Sequence, residues 1–135
     1  MQYSRTKILF GEETFKKFQE TKIILFGVGG IGSFALDALY NTGITNITIV
    51  DFDTYEESNQ NRQLGSHGNI GRIKVDVLKE RYPKVTPICV KITPEWIDNF
   101  DFSSYDYILD AIDDVTPKVH LIKKYFTKII STGGG

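Results

Sequence analysis

The sequence predicts an α/β protein whose sheet is doubly wound and mainly parallel, with helices on both faces. Short apolar runs rich in β-branched residues alternate along the chain with segments whose apolar residues recur at helical spacing. The first apolar run, residues 23–26, stops at a glycine-rich turn, and a helical pattern follows at once. A strand, a glycine turn and a helix in this order are typical of a Rossmann-like fold.

The glycine-rich turn has the pattern G-x-G-x-x-G, with one additional glycine inside it. Its glycines are Gly27, Gly29, Gly30 and Gly32. A tight turn from strand to helix needs unusual backbone angles, and any side chain would keep a phosphate away from the backbone N–H groups. The helix start then offers unpaired donors and a partial positive charge. We therefore expect a nucleotide here; the alternative is that the glycines only pack helix against strand.

A second predicted strand, residues 46–50, ends at Asp51, and Asp53 follows it. Asp51 lies about 20 residues beyond Gly32, which is close to the spacing at which a carboxylate reaches a ribose hydroxyl. Residues 54–63 are polar without a periodic apolar face, so we expect a loop at the carboxyl end of the strand, where open α/β sheets bind ligands. The loop residues expected near the phosphates are Asn59, Arg62 and Gln63; the alternative is that this charged loop only faces water.

Lys74 lies near the start of the next predicted helix, which ends before Pro83. A lysine is unfavourable at a helix N-terminus, so a nearby anion explains it better than stability does. A third strand is predicted within residues 85–92, beginning after Pro87 and with Cys89 as a core residue. A short helix is predicted over residues 94–100.

A fourth predicted strand, residues 105–109, is followed by three acids: Asp110, Asp113 and Asp114. These carboxylates would repel one another unless a cation lies among them. Mg²⁺ held together with a nucleotide is the natural candidate, because it takes one or two carboxylates plus phosphate oxygens. The alternative is that Asp113 or Asp114 caps the helix predicted over residues 115–125. A fifth strand is predicted over residues 128–131.

Length and composition predict one domain, residues 1–135, with an N-terminal helical arm over residues 1–20. The pattern of the arm predicts two short helices separated by Gly11. Arg5 within the arm is either a solvated charge or a functional residue. A net charge of −1 provides no bulk basic field for a nucleic acid. With one cysteine, no signal peptide and no apolar run of about 18 residues, we expect a cytoplasmic protein without a membrane span.

Five successive motifs resemble those of the ThiF/MoeB/HesA superfamily, the adenylating domains related to ubiquitin-activating enzyme. They are residues 27–32, 51–53, 59–63, 70–74 and 110–113. Residues 3–11 and the Asp-Ala-Ile-Asp form of the last motif are most similar to the tRNA threonylcarbamoyladenosine dehydratase branch. The resemblance covers essentially the whole chain, and it implies that the C-terminal part of the family fold is absent from these residues.

The resemblance implies ATP-dependent adenylation of a carboxylate, with ATP and Mg²⁺ bound by a homodimer. It implies that Asp51 holds the ribose and that Asp113 binds Mg²⁺. Lys74, with Asn59 and Arg62, would hold phosphates, and Arg5 would reach the γ-phosphate of the partner subunit. The glycines of the turn, Asp53 and Gln63 complete the implied nucleotide site.

In the dehydratase branch the activated carboxylate is that of the threonylcarbamoyl group on tRNA. Two alternatives stay open: adenylation of the C-terminal glycine of a ubiquitin-like sulfur carrier protein, with sulfur-transfer partners, or a truncated and inactive nucleotide-binding module. A dehydrogenase using NAD is disfavoured, because such an enzyme does not require the motif at residues 59–63 or Lys74.

Overall fold

A computed structural model describes residues 3–55 and 68–132 of the chain. Its strands are β1 (Ile23–Phe26), β2 (Ile47–Asp51), β3 (Thr86–Cys89), β4 (Tyr107–Asp110) and β5 (Ile129–Ser131). Its helices are α1 (Ser4–Phe10), α2 (Glu12–Glu20), α3 (Gly30–Thr42), α4 (Lys74–Arg81), α5 (Pro94–Asn99) and α6 (Val115–Tyr125).

The strands form one five-stranded sheet in the order β3-β2-β1-β4-β5, and every neighbouring pair is parallel. The chain therefore winds outward from β1 in one direction through β2 and β3, and then in the other through β4 and β5. This doubly wound topology confirms the predicted fold class. The order reverses between β1 and β4, and such a reversal is where open α/β sheets bind ligands.

Helices cover both faces of the sheet, and alternate residues of β1 point into two separate cores. Ile23 and Leu25 pack with α3 and α4, through residues such as Leu36 and Leu78. Ile24 and Phe26 pack on the opposite face with α5 and α6. All four β1 residues are buried, because a central parallel strand has helices on both sides.

The edge strand β3 differs from the sequence prediction in two ways. It begins at Thr86, so Pro87 lies inside the strand and is paired in register with Ile49. An edge strand tolerates proline because one row of its backbone groups needs no partner strand. Cys89 is exposed, so its predicted place in the core is wrong. Cys89 is the last residue of β3, and β3 is the outermost strand on one side of the described sheet.

The N-terminal arm contains the two predicted helices, separated by Gly11. The Tyr3 hydroxyl donates to the Tyr40 carbonyl oxygen at 3.2 Å, and the buried Phe15 ring packs against Gly43, where α3 ends. The arm is thus anchored on the protein at the C-terminal end of α3. Within the described residues, no helix is both long enough and apolar enough to span a membrane.

Candidate functional site

The glycine turn lies at the carboxyl end of β1, beside the point where the strand order reverses. Gly27 has a φ of +88°, and a Cβ atom there would lie 2.5 Å from the Ala111 carbonyl oxygen. A Cβ on Gly32 would lie 1.9 Å from the carbonyl oxygen of Gly27. Only glycine fits either position, because backbone atoms cannot move aside as a side chain can. The turn is therefore packed tightly against the segment that follows β4.

The turn leads directly into α3, whose N-cap is Gly29. The first backbone bond of the helix runs from the Ser33 N–H to the Gly29 carbonyl oxygen at 2.9 Å. The N–H groups of Gly30, Ile31 and Gly32 precede it and have no acceptor within the helix. Together with the positive end of the helix dipole they form a site suited to an anion.

Asp51, at the end of β2, turns its carboxylate towards the glycine turn. Its Oδ2 accepts the Val28 N–H at 3.0 Å, and its Oδ1 accepts the Asp53 N–H at 3.0 Å. A carboxylate has about four acceptor positions, so two remain for a ligand hydroxyl. The structure therefore brings Asp51 to the glycine turn, as the spacing in the sequence predicted.

The segment after β2 pairs with the segment before α4. Thr54 and Ile73 form an antiparallel bridge, and the Lys74 N–H donates to the Asp53 carbonyl oxygen at 3.0 Å. The Tyr55 N–H donates to Arg72 O at 3.0 Å. These bonds hold the start of α4 beside the carboxyl end of β2. Lys74 and Asp53 therefore lie at the same end of the strands as Asp51.

Lys74 is buried, with only 5% of its surface exposed, and within residues 3–55 and 68–132 its ammonium makes no hydrogen bond or ion pair. The ammonium lies 5.9 Å from the centroid of the Tyr55 ring. Burial, and then the nearby Asp51 carboxylate, raise the pKa of Tyr55 to about 12, so its hydroxyl stays neutral at physiological pH. A buried ammonium without an anionic partner is costly, and a bound anion would relieve that cost.

The structure separates the roles of Asp110, the last residue of β4, and of the two acids that follow the strand. Asp110 is fully buried and forms an ion pair with Lys118, at 3.0 Å between Oδ2 and Nζ. Asp114 is the N-cap of α6 and accepts the Thr116 N–H at 3.4 Å. The cation beside Asp110 is thus the Lys118 ammonium, and the alternative role of helix cap applies to Asp114.

Asp113 is the remaining acid of the three. It is exposed, and its carboxylate makes no hydrogen bond or ion pair with any other described residue. The described residues contain no group of three or more His, Cys, Asp or Glu side chains that could hold a metal ion. A divalent cation at Asp113 would therefore need other oxygen ligands, and the phosphates of a nucleotide supply such ligands.

The other predicted site residues are Asn59, Arg62, Gln63 and Arg5. Asn59, Arg62 and Gln63 lie outside the described residues. Arg5 is exposed on α1, in the arm that is anchored at the end of α3 opposite to the glycine turn. The structure brings together the glycines of the turn, Asp51, Asp53, Lys74 and Asp113, and it does not bring Arg5 to them.

Sequence reasoning missed Tyr55 and Lys118. Nothing in the pattern distinguishes Tyr55 from the other aromatic residues, since its contact with Lys74 depends on the pairing of Thr54 with Ile73. Lys118 lies about one turn after Asp114, on a predicted helix, and eight residues after Asp110. A lysine at that distance was a signal that one of the acids already has a partner.

Comparison with known proteins identifies the family. The ThiF family matches residues 3–133. The chain belongs to the ThiF family. This ThiF chain is 34% identical over 142 residues to the tRNA threonylcarbamoyladenosine dehydratase of Escherichia coli (strain K12), covering 98% of the chain and 53% of that protein. The predicted resemblance is confirmed, and the chain spans about half the length of that relative.

Solved structures agree with this assignment. The E. coli tRNA N6-threonylcarbamoyladenosine dehydratase, TcdA, has been solved in complex with AMP; it matches with a TM-score of 0.91 and 34% identity over 98% of this chain and 58% of that one. Its complex with ATP matches with a TM-score of 0.86 and 33% identity, over 98% and 59%. The ThiF chain is also 36% identical over 110 residues to the adenylyltransferase and sulfurtransferase UBA4 of Yarrowia lipolytica, covering 77% of the chain and 28% of UBA4.

Proposed function

We propose that this chain binds ATP with Mg²⁺ and supports transfer of its adenylyl group to a substrate carboxylate. The observation that carries the proposal is the buried Lys74 ammonium, which lacks an anionic partner in the described residues and lies at the same sheet edge as the glycine turn. A triphosphate supplies the missing anion. The complexes of the E. coli relative with ATP and with AMP support this choice of ligand.

The proposed reaction joins a carboxylate oxygen to the α-phosphorus of ATP while the bond from that phosphorus to the pyrophosphate oxygen breaks. The products are an acyl adenylate and pyrophosphate. No protein nucleophile is needed, so the protein contributes positioning and charge neutralisation. The helix amides of the glycine turn and Lys74 neutralise phosphate charge, and Asp51 orients the ribose through its two remaining acceptor positions.

Asp113 is the residue that would hold Mg²⁺. It fits this role because its carboxylate is exposed and has no partner among the described residues, and carboxylate oxygen is a preferred ligand of this hard cation. When bound, Mg²⁺ supplies positive charge to the phosphates.

Two further groups complete the proposal from the family resemblance. Asn59 and Arg62, between β2 and α4 in the sequence, would bind phosphates, and Gln63 would complete the nucleotide site. Arg5 would act on the nucleotide of a partner subunit in a homodimer, and its position on an arm anchored away from its own glycine turn is compatible with that role. We also infer a cytoplasmic location from the chemistry of the tRNA-modifying relative.

The substrate we favour is the threonylcarbamoyl carboxylate on tRNA, which internal attack would convert to a cyclic form with loss of AMP. The relative named for this dehydration aligns with 98% of the chain, whereas UBA4 aligns with 77%. UBA4 supports the second candidate, which is activation of the C-terminal glycine of a sulfur carrier protein.

The test compares ATP and NAD by calorimetric titration, each with Mg²⁺. We expect ATP to bind more tightly, because Lys74 and Asp113 suit a triphosphate and its metal. Tighter binding of NAD would overturn the proposal. Release of pyrophosphate is then measured with tRNA bearing threonylcarbamoyladenosine and with a peptide ending in Gly-Gly. Release with the peptide alone would favour the sulfur-carrier reaction, and ATP binding without any release would identify a nucleotide-binding module.

A further inference from the structure

We propose that the buried Asp110–Lys118 ion pair is a positioning pair, which holds residues 111–113 against the glycine turn and so sets the location of Asp113. This inference rests on the proposed function, because it concerns how Asp113 is presented to Mg²⁺ and ATP. It assigns a role to two charged residues that make no contact with the nucleotide in the proposed reaction.

The Asp110 carboxylate accepts three bonds, from groups on α6, on β5 and in the segment after β4. Its Oδ2 accepts from Lys118 Nζ at 3.0 Å and from the Ser131 hydroxyl at 2.7 Å, and its Oδ1 accepts from the Ile112 N–H at 2.9 Å. Its side chain is completely buried, and that of Lys118 is 17% exposed. A buried carboxylate with this many donors has one stable orientation.

The pair fixes the backbone that follows β4. The Lys118 ammonium also donates to the Ile112 carbonyl oxygen at 2.9 Å, so both backbone groups of Ile112 are bonded to the pair. One residue earlier, the Ala111 N–H donates to the Phe26 carbonyl oxygen at 2.8 Å, and the Ala111 carbonyl faces Gly27. The segment is therefore attached to β1 on one side and to α6 on the other.

Asp113 lies between two residues that are held in place. Ile112 before it is bonded to the ion pair, and Asp114 after it caps α6. The Asp113 side chain makes no bond of its own within the described part of the chain, so its location depends on these neighbours. A buried ion pair is weak support for stability but defines a geometry well, which fits a positioning role.

The first measurement needs no nucleotide. We expect the Ile112 amide proton to exchange slowly in the unmodified chain and faster in Lys118→Met, because that variant removes the bond to the Ile112 carbonyl and leaves Asp110 unpaired. Lys124→Met is the matched control: Lys124 is on the same helix, but its 2.9 Å partner is the exposed Asp98. If the Ile112 amide exchanges equally in Lys118→Met and Lys124→Met, the pair does not hold this segment and the proposal is overturned.

The second measurement separates positioning from stability. ATP affinity is determined with Mg²⁺ and with EDTA, and the ratio gives the gain due to Mg²⁺. We expect Lys118→Met to reduce this gain by about tenfold, as for groups that orient a metal ligand, while affinity in EDTA changes little. Lys118→Arg should restore the gain due to Mg²⁺. The double variant Asp113→Asn/Lys118→Met should show the same gain as Asp113→Asn alone. An unchanged gain in Lys118→Met would overturn the positioning role.

The measurements remain informative if the unmodified chain does not bind ATP and if Lys118→Met does not fold. If the unmodified chain does not bind ATP, the proposed function fails, and the exchange of the Ile112 amide alone decides whether the pair holds the segment. If Lys118→Met does not fold, the double variant Asp110→Asn/Lys118→Met replaces it in both measurements, since it leaves no unpaired charge in the interior.

Discussion

At the scale of single residues, Lys74 is held in a position that suits a ligand better than it suits the folded chain. Its ammonium is buried next to the Tyr55 ring without a hydrogen bond or ion pair from the described residues. Burial of an unpaired charge is unfavourable, so the position costs stability when no anion is bound. Residues whose position lowers the stability of the ligand-free protein are typical of functional sites.

We predict that Lys74→Met weakens ATP binding by about 1.5 to 3 kcal/mol, the contribution of a hydrogen bond to a charged group. The same change should leave ligand-free thermal stability unchanged or higher. Calorimetric titration and thermal unfolding measure the two effects. Lys79→Met is the control on the same helix: Lys79 donates to the Val85 carbonyl oxygen at 2.9 Å, so its loss should lower stability and spare ATP affinity. A large loss of stability in Lys74→Met would mean that Lys74 is structural.

Gly27 shows how a backbone contact adds to backbone strain. Gly11 and Gly27 have similar φ angles, +80° and +88°, but only Gly27 faces a carbonyl oxygen at close range. We predict that Gly11→Ala lowers the free energy of unfolding by about 1 to 3 kcal/mol, because its φ of 80° and ψ of 161° lie in a region open almost only to glycine. Gly27→Ala should cost clearly more, since its Cβ must also displace Ala111. Urea denaturation of the two variants measures the difference, and equal losses would show that the close approach relaxes freely.

At the scale of elements, the short antiparallel bridge between Thr54 and Ile73 places α4 at the carboxyl edge of β2. Tyr55 lies beside this bridge and is completely enclosed, with 1% of its surface exposed. Burial is the main cause that raises the pKa of its hydroxyl to about 12, above the ordinary value of 10.0. The unfolded chain therefore releases this proton at lower pH than the folded chain does.

This difference gives a pH-dependent stability with a defined sign. The contribution of Tyr55 is complete below pH 10 and is lost as the pH rises towards 12, because the unfolded state ionises first. Between pH 9 and 11 we predict that the unmodified chain loses about 1 kcal/mol more stability than Tyr55→Phe. Urea denaturation at the two pH values tests this. Parallel losses in both proteins would show that Tyr55 is not enclosed as described.

At the scale of the whole molecule, the sheet joins two cores that lie on opposite faces. Leu36 of α3 is buried in one core and Leu121 of α6 in the other, both without exposed surface. Because β1 contributes alternate residues to both, loss of either core removes support from the same central strand. We therefore expect the two faces to unfold together.

We predict that Leu36→Ala and Leu121→Ala each lower the free energy of unfolding by about 2 to 5 kcal/mol. In both variants the transitions followed by far-UV circular dichroism and by Trp96 fluorescence should coincide. Trp96 is a specific probe of one face, since its ring packs edge-on against Phe26 at 5.9 Å between centroids. If Leu36→Ala moved the dichroism transition but not that of Trp96, the two faces would be separate units.

Many features of the site were predictable because they depend on local sequence. The glycine turn is defined by adjacent residues, and its positive φ at Gly27 can be met by glycine with little strain. The position of Asp51 is predictable because one helix and one strand separate it from the glycine turn. Lys74 is predicted by its conflict with the helix dipole, which is a local property as well.

The sequence by itself determined the order of the elements, the doubly wound topology and the residues expected at the carboxyl edge of the sheet. Apolar periodicity and glycine placement act over a few residues, and the crossover rules for parallel strands leave few arrangements. Only the tertiary structure decided which acid remains available, because Asp110 meets Lys118 and Ser131 through contacts between β4, α6 and β5. It also decided that Lys74 is buried beside Tyr55 and that Cys89 is exposed at a sheet edge. The physical reason is the same in each case: burial and charge pairing depend on which elements become neighbours in space, and residue spacing alone does not contain that information.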